Sequence, residues 1–227
     1  WARLAYEEAR RVGAARAACD TAGPDGKHAR IPRQDELLLD PRAAYLHITT
    51  NNTIFGTQWQ TLPDSKGAPL VADMCSDILS RPVDAAKFAL IYAGAQKNLG
   101  PAGLALIAVD RDWLKTARTD LPDILSYAVH LEARSIYHTP PTFAVYLVGL
   151  QLKWIKANGG PSGMEKRNKA KAELLSENEP LDIGVSPTDL PAFEFKEFAE
   201  ARKALASDLE KSGYDEVARE TLLRTVP

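Results

Sequence analysis

The chain has 227 residues, of which 45% are hydrophobic, and its 28 basic and 30 acidic side chains give a formal net charge of −2. This balance argues against a protein that binds nucleic acid or an anionic membrane surface. No run of about 18 apolar residues is present, so no membrane-spanning helix is predicted. Cys19 and Cys75 are interpreted as reduced thiols of a cytoplasmic protein, with a disulfide between them as the alternative.

The chain begins with a predicted helix and a predicted turn. Residues 2–17 are rich in alanine, glutamate and arginine with an apolar face, which predicts a helix. Residues 20–28 contain Gly23, Pro24, Asp25 and Gly26, a composition typical of a turn. Because the first residue is Trp1 and not methionine, we expect a fragment or a processed product.

Four continuous apolar runs predict strands that are buried on both faces of a sheet. They are residues 44–48, 69–73, 88–93 and 104–109. The segments between them are short and rich in turn residues, with room for small helices only. The sheet is therefore predicted to be mixed, because a regular parallel series needs a long crossover after each strand.

The second half of the chain is predicted to be helical. Residues 141–157 predict a mostly apolar helix that ends at a pair of glycines, and residues 163–177 predict a charged helix. Residues 176–191 hold three prolines and a glycine, which indicates a linker. Residues 192–227 then predict a tail of two polar helices whose role the sequence does not reveal.

A lysine follows the third predicted strand among small residues. Lys97 lies in the segment AGAQKNLGP, residues 93–101. Small residues allow a ligand to approach the backbone closely, and apolar neighbours can make a lysine amine nucleophilic. The alternative is a lysine at a strand end that points to water.

A carboxylate closes the second predicted strand. Asp73 ends the run 69–73, and a buried carboxylate needs a partner. In pyridoxal-phosphate enzymes an aspartate keeps the pyridine nitrogen of the cofactor protonated. Asp73 and Lys97 end separate strands, so they can meet at one edge of the sheet, where ligands lie in open α/β sheets. The alternative is that Asp73 caps the following turn, a position for which Asp77 also competes.

Four segments, in chain order, match the pattern of one known family. They are HITTNNTIFGTQW at residues 47–59, VADMCSDILSRP at 71–82, IYAGAQKNLGPAG at 91–103 and YHTPPTF at 137–143. Together they resemble the phosphoserine aminotransferases of the class V pyridoxal-phosphate-dependent family.

The resemblance extends over residues 1–175 and implies an α/β fold. These residues would form a partial large domain of the fold-type I pyridoxal-phosphate-dependent transferase fold, with a mixed central sheet flanked by helices. Its N-terminal part would be missing. Residues 176–191 remain the linker and residues 192–227 the helical tail.

The resemblance also implies a set of site residues. Lys97 matches the lysine that forms a Schiff base with pyridoxal phosphate, and Asp73 matches the partner of the pyridine nitrogen. Thr53 matches a residue that bonds the phenolic oxygen of the cofactor, and Gln96 matches a contact to its phosphate. Trp1 aligns with a tryptophan that stacks on the cofactor ring, with a frayed terminal side chain as the alternative.

A further pair implies contacts between subunits of a homodimer. His138 and Thr139 resemble an asparagine–threonine pair that reaches the cofactor phosphate of the other subunit. Thr139 fits the pattern, whereas His138 replaces the asparagine. Its imidazole can still donate to phosphate, and the alternative is a neutral loop histidine. Cys75 stands where the family has a serine, and we interpret it as a small buried filler.

The activity implied by the resemblance belongs to serine biosynthesis. An amino group is transferred reversibly between phosphoserine plus 2-oxoglutarate and 3-phosphohydroxypyruvate plus glutamate, with pyridoxal phosphate as cofactor and no metal. The expected protein is a cytoplasmic homodimer. The alternatives are another class V aminotransferase that acts on small unphosphorylated amino acids, or a degenerate homologue that binds no cofactor.

Two parts of the family pattern are not recognised in this sequence. They are a glycine-rich phosphate-binding turn before the stacking tryptophan, and an arginine of a C-terminal domain that binds the substrate carboxylate. Residues 176–227 offer the cations Arg202, Lys203 and Arg219, which the helical pattern places on solvated faces. We therefore expect this chain by itself to be a poor aminotransferase.

Overall fold

The computed structural model describes the backbone of residues 1–177 and the side chains of residues 1–173. Residues Trp1–Leu174 form one compact unit. The predicted linker beyond residue 177 and the predicted tail at 192–227 lie outside the described residues, as do Arg202, Lys203 and Arg219.

The N-terminal helix is shorter than the sequence predicts. Helix α1 spans Ala2–Val12, because Gly13 adopts an extended backbone conformation and ends it. Glycine lacks a Cβ atom and loses much conformational freedom in a helix, which favours such an ending. No residue of α1 is buried in the described part of the chain. The turn predicted at 20–28 is confirmed by the hydrogen bond that the Gly26 N–H donates to the Gly23 carbonyl oxygen.

A mixed four-stranded sheet and a small hairpin make up the β-structure. The strands are β1 Leu46–Thr49, β2 Asn51–Asn52, β3 Thr57–Gln58, β4 Leu70–Asp73, β5 Leu90–Gly94 and β6 Ala105–Val109. The sheet has the order β1-β4-β5-β6, in which β1, β4 and β5 run parallel to one another and β6 is antiparallel to β5. Strands β2 and β3 form the hairpin. The four predicted strands and the mixed sheet are confirmed.

The burial predicted for the last strand is wrong. In β6 the side chains of Ala105, Ile107 and Ala108 are exposed. Strand β6 lies at the end of the strand order, and a continuous apolar run does not identify the element that covers it.

The two faces of the sheet differ in character. Side chains alternate along a strand, and residues paired in register lie on the same face. One face therefore presents Ile48, Ala72 and Ile91 to a hydrophobic core that also includes Leu99 and Val148. On the opposite face the register places Thr49, Asp73 and Tyr92 side by side.

The helices after the sheet are α2 Arg111–Leu114, α3 Tyr127–Glu132, α4 Thr142–Ala157 and α5 Gly160–Glu177. The apolar and charged helices predicted at 141–157 and 163–177 are confirmed as α4 and α5. The apolar sequence of α4 predicts that this helix packs in the core, and this prediction is only partly right. It buries Ala144, Val148 and Ile155, whereas Phe143 and Trp154 are 47% and 46% exposed. None of the described helices is long and apolar enough to cross a membrane.

Leu99 provides a test of this core. Its side chain is 1% exposed and packs in the core cluster, two residues after Lys97 in the same turn. Leu99→Ala is expected to lower the free energy of unfolding by about 2–5 kcal/mol, since it removes buried methyl groups and leaves a cavity. Leu38→Ala is the matched control, because Leu38 is 68% exposed. Equal losses in urea denaturation for the two variants would contradict the core assignment.

Candidate active site

Lys97 meets two residues that are distant in the sequence. It lies in the turn that follows β5, and this turn is closed by hydrogen bonds from the Leu99 and Gly100 N–H groups to the Ala95 carbonyl oxygen. The Lys97 amine donates to Thr53 Oγ1 at 3.5 Å. The same Nζ atom lies 5.8 Å from the centroid of the Trp1 ring, within the range of a cation–π contact.

The β2–β3 hairpin holds both partners of Lys97. Thr53 is the first residue of the hairpin turn. Asn52, the last residue of β2, accepts a hydrogen bond at 3.4 Å from the backbone nitrogen of Trp1 through its Oδ1 atom. Trp1 is 49% exposed. The hairpin thus places an aromatic face and a hydroxyl beside the amine.

Asp73 lies at the same edge of the sheet as the Lys97 turn. Strands β4 and β5 are parallel neighbours, and Asp73 is the last residue of β4. The backbone N–H of Cys75 donates to Asp73 Oδ1 at 2.9 Å, which fixes the carboxylate at the strand end. The carboxyl ends of parallel strands share one edge of a sheet, so the expected meeting of Asp73 and Lys97 at one edge agrees with the topology.

Cys75 does more than fill space beside Asp73. The Gly94 N–H of the neighbouring strand donates to Cys75 Sγ at 3.1 Å. Burial, together with the Asp73 carboxylate, raises the pKa of the Cys75 thiol. The thiol therefore remains protonated at neutral pH and joins the ends of β4 and β5. Cys19 and Cys75 are both free thiols.

Gln96 precedes Lys97 and is exposed. Its side-chain amide folds back over Gly94, where a Cβ atom would overlap with it. Gly94 thus provides the space that lets the Gln96 amide lie at the strand end. The predicted contact of Gln96 with a cofactor phosphate stays a prediction.

His138 and Thr139 lie apart from this cluster. Both are exposed on the loop before α4, and the His138 ring meets the His130 ring edge to face at 6.4 Å between centroids. Within residues 1–173 neither side chain contacts Lys97. Their proposed contact with the cofactor of a second subunit stays a prediction.

Two residues of this region were missed by the sequence reasoning. His47 Nε2 and the Tyr92 hydroxyl are hydrogen-bonded at 2.9 Å, and their rings stack at 5.9 Å between centroids. Burial lowers the pKa of His47, whereas the nearby Asp73 carboxylate acts in the opposite direction. Burial also raises the pKa of Tyr92. The sequence feature that could have indicated them is a polar side chain inside an apolar strand, His47 in β1 and Tyr92 in β5.

The groups at this edge offer a defined chemistry. An amine, an aromatic face, a hydroxyl and a carboxylate are held by separate elements of the fold. This set is suited to an aromatic ligand that carries a carbonyl group and a basic ring nitrogen. Within the described residues no group of three histidine, cysteine, aspartate or glutamate side chains could hold a metal ion.

Comparison with known proteins points to the same chemistry. The model of the family described as aminotransferase class-V matches residues 2–178. The phosphoserine aminotransferase of Herpetosiphon aurantiacus is 48% identical over 175 residues, which are 77% of this chain and 48% of that protein. This chain therefore spans about half the length of the curated relatives that it matches.

Solved structures are also similar to this chain in fold. A phosphoserine aminotransferase structure that describes radiation damage of its Schiff base has a TM-score of 0.74 and 45% identity, over 78% of this chain and 49% of that one. A pyridoxal-phosphate-bound phosphoserine aminotransferase from Trichomonas vaginalis has a TM-score of 0.70 and 35% identity, over 78% of this chain and 50% of that one.

Proposed function

This chain belongs to the class-V aminotransferase family, and from that premise we propose that it forms the core of a phosphoserine aminotransferase. Its fold is the α/β fold of the large domain in fold-type I pyridoxal-phosphate-dependent transferases. Residues 1–175 would form this domain, followed by a linker at 176–191 and a helical tail at 192–227.

The observation that carries the proposal is the position of the Lys97 amine. It contacts both the Thr53 hydroxyl and the face of the Trp1 ring, at the sheet edge where Asp73 ends its strand. A lysine at a strand end that only pointed into water would not contact side chains from two distant segments. The arrangement fits pyridoxal phosphate, which combines an aldehyde, a pyridine nitrogen and a phenolic oxygen on one ring.

Pyridoxal phosphate, when bound, supplies an aldehyde that takes up amino groups and a protonated ring that withdraws electrons. Lys97 would hold the cofactor through its amine and carry a proton at Nζ during the transfer. Asp73 would keep the ring nitrogen protonated, because its carboxylate accepts a charge-assisted hydrogen bond. The Trp1 ring would orient the cofactor by stacking, while Thr53 and Gln96 would bond the phenolic oxygen and the phosphate.

The proposed substrates are phosphoserine and 2-oxoglutarate, which would yield 3-phosphohydroxypyruvate and glutamate. The names of the relatives, which are 48% and 54% identical to this chain over the matched residues, support this choice over other class-V donors. We further propose a homodimer in which His138 and Thr139 contact the cofactor phosphate of the second subunit. A cytoplasmic location is part of the proposal, since free thiols persist in a reducing compartment.

A single amino-group transfer tests this proposal without the need for rapid turnover. The 227-residue chain is mixed with pyridoxal phosphate, and its absorption spectrum is followed as phosphoserine is added. A new band at the edge of the visible range that phosphoserine bleaches, while serine and alanine do not, is the expected result. Equal bleaching by all three amino acids would indicate another class-V donor, and absence of the band would indicate a homologue that binds no cofactor.

A further inference from the structure

We propose that His47 and Tyr92 are positioning residues that hold the Asp73 carboxylate toward the sheet edge. This inference rests on the proposed function, because Asp73 is there assigned to the ring nitrogen of the cofactor. His47 and Tyr92 act together as a hydrogen-bonded pair on the face of the sheet from which Asp73 projects.

The strand register defines the position of this pair. Tyr92 in β5 is paired with Asp73 in β4, and Thr49 in β1 lies on the other side of Asp73. His47 is two residues before Thr49, so it shares the same face. Strand β4 lies between β1 and β5, so the bond of 2.9 Å between His47 Nε2 and the Tyr92 hydroxyl joins side chains across it.

The pair is the group best placed to influence Asp73 from within the sheet. Both side chains are partly buried, and this hydrogen bond pairs their polar groups with each other. The Asp73 carboxylate acts electrostatically on both rings. Cys75, Tyr127 and Tyr45 also act on Tyr92, and among these four groups Asp73 is the carboxylate.

This arrangement gives the pair a function beyond packing. Two polar side chains are costly to bury unless they are paired, and a purely structural position on a sheet face is better filled by apolar residues. The His47–Tyr92 bridge lies beside Asp73 on this face, where it would limit the approach of water to the carboxylate. In a water-poor site, the attraction between the carboxylate and a protonated ring nitrogen is stronger than in bulk solvent.

The first test uses the cofactor-free chain, so it does not depend on the proposed function. The titration of His47 is followed by NMR of the imidazole carbons in the wild type, Asp73→Asn and Thr49→Val. The Asp73 carboxylate favours protonated His47, so we expect the midpoint of His47 to fall in Asp73→Asn. Thr49 is the matched control, because it also neighbours Asp73 but carries no charge. An unchanged midpoint in Asp73→Asn would overturn the proposal.

The second test separates positioning from general stability. Tyr92→Phe keeps the ring and removes the hydroxyl, which breaks the bond to His47. We expect its affinity for pyridoxal phosphate to fall by about tenfold, the equivalent of about 1.4 kcal/mol. Its affinity for an analogue with CH in place of the ring nitrogen should not change, because Asp73 has no ring N–H to bind in that analogue.

Two outcomes of the second test are decisive. If Tyr92→Phe weakens both compounds equally, or neither, the pair does not act through Asp73 and the inference fails. If the wild-type chain binds neither compound, the proposed function fails, and the His47 titration alone decides the inference. In the Asp73→Asn background, the Tyr92→Phe substitution should leave the affinity for pyridoxal phosphate unaltered.

Discussion

Lys97→Ala is expected to abolish covalent capture of pyridoxal phosphate and to lower the rate of amino-group transfer by a factor of about 10³ or more. The substitution removes the amine that contacts both Trp1 and Thr53 at this sheet edge. Loss of a positioned proton carrier alone costs about 10²–10⁴ in rate. The covalent attachment of the cofactor is lost as well, so the two effects act in the same direction.

The measurement is reduction with borohydride in the presence of the cofactor, followed by peptide mapping. The wild type should carry the label on Lys97, and Lys97→Ala should carry none. Lys87→Ala is the matched control, because Lys87 is an exposed lysine that ends the short 3-10 helix Ala85–Lys87, outside the cluster. A label that persists in Lys97→Ala, or that is lost equally in Lys87→Ala, would contradict the assignment.

Unfolding should not explain the loss in Lys97→Ala. The Lys97 side chain is exposed, and its contacts in the described structure are the long hydrogen bond to Thr53 and the approach to Trp1. Surface substitutions of this kind usually change the free energy of unfolding by less than about 0.5 kcal/mol. Equal denaturation midpoints for the variant and the wild type would therefore accompany the loss of activity.

The central sheet could be predicted because each of its strands is a continuous apolar run in the sequence. The runs that became β1, β4, β5 and β6 were each located within two residues, and Asp73 was placed at a strand end. Which surfaces are covered could not be read in the same way. The exposed residues of β6 and α4 are as apolar as the buried ones. The local sequence therefore does not show whether another element covers them.

The cluster around Lys97 depended on a different kind of information. Trp1, Thr53 and Lys97 are far apart in the sequence, and neither periodicity nor spacing predicts that they meet. The resemblance to the phosphoserine aminotransferases brought these three residues together, and their contacts agree with it. The His47–Tyr92 pair was missed, because each residue lies inside an apolar run and their link requires the strand order of the folded sheet.

Asp73→Asn is expected to weaken cofactor binding and Asp77→Asn to lower the stability of the fold, although the two carboxylates are close in sequence. Asp73 lies at the strand end with one oxygen held by the Cys75 backbone N–H. Asparagine retains that acceptor but cannot keep a pyridine nitrogen protonated. The affinity for pyridoxal phosphate should fall by about ten- to a hundredfold, the equivalent of a charge-assisted hydrogen bond of about 1.5–3 kcal/mol. The free energy of unfolding should hardly change.

Asp77 has a structural position instead. Its side chain is 5% exposed and accepts hydrogen bonds from the Thr50 hydroxyl and from Gln58 Nε2. In Asp77→Asn, the new amide group is a donor that faces at least one of these donors, so a buried polar group loses its partner. The free energy of unfolding should fall by about 1–3 kcal/mol, while the folded variant keeps its affinity for the cofactor.

Urea denaturation and cofactor titration of both variants separate the two roles. The stability loss should belong to Asp77→Asn and the affinity loss to Asp73→Asn. If Asp73→Asn also lost stability and Asp77→Asn also lost affinity, the two carboxylates would form one coupled unit. Asp73 would then be part of the scaffold around Thr50 and would not be the partner of a ring nitrogen.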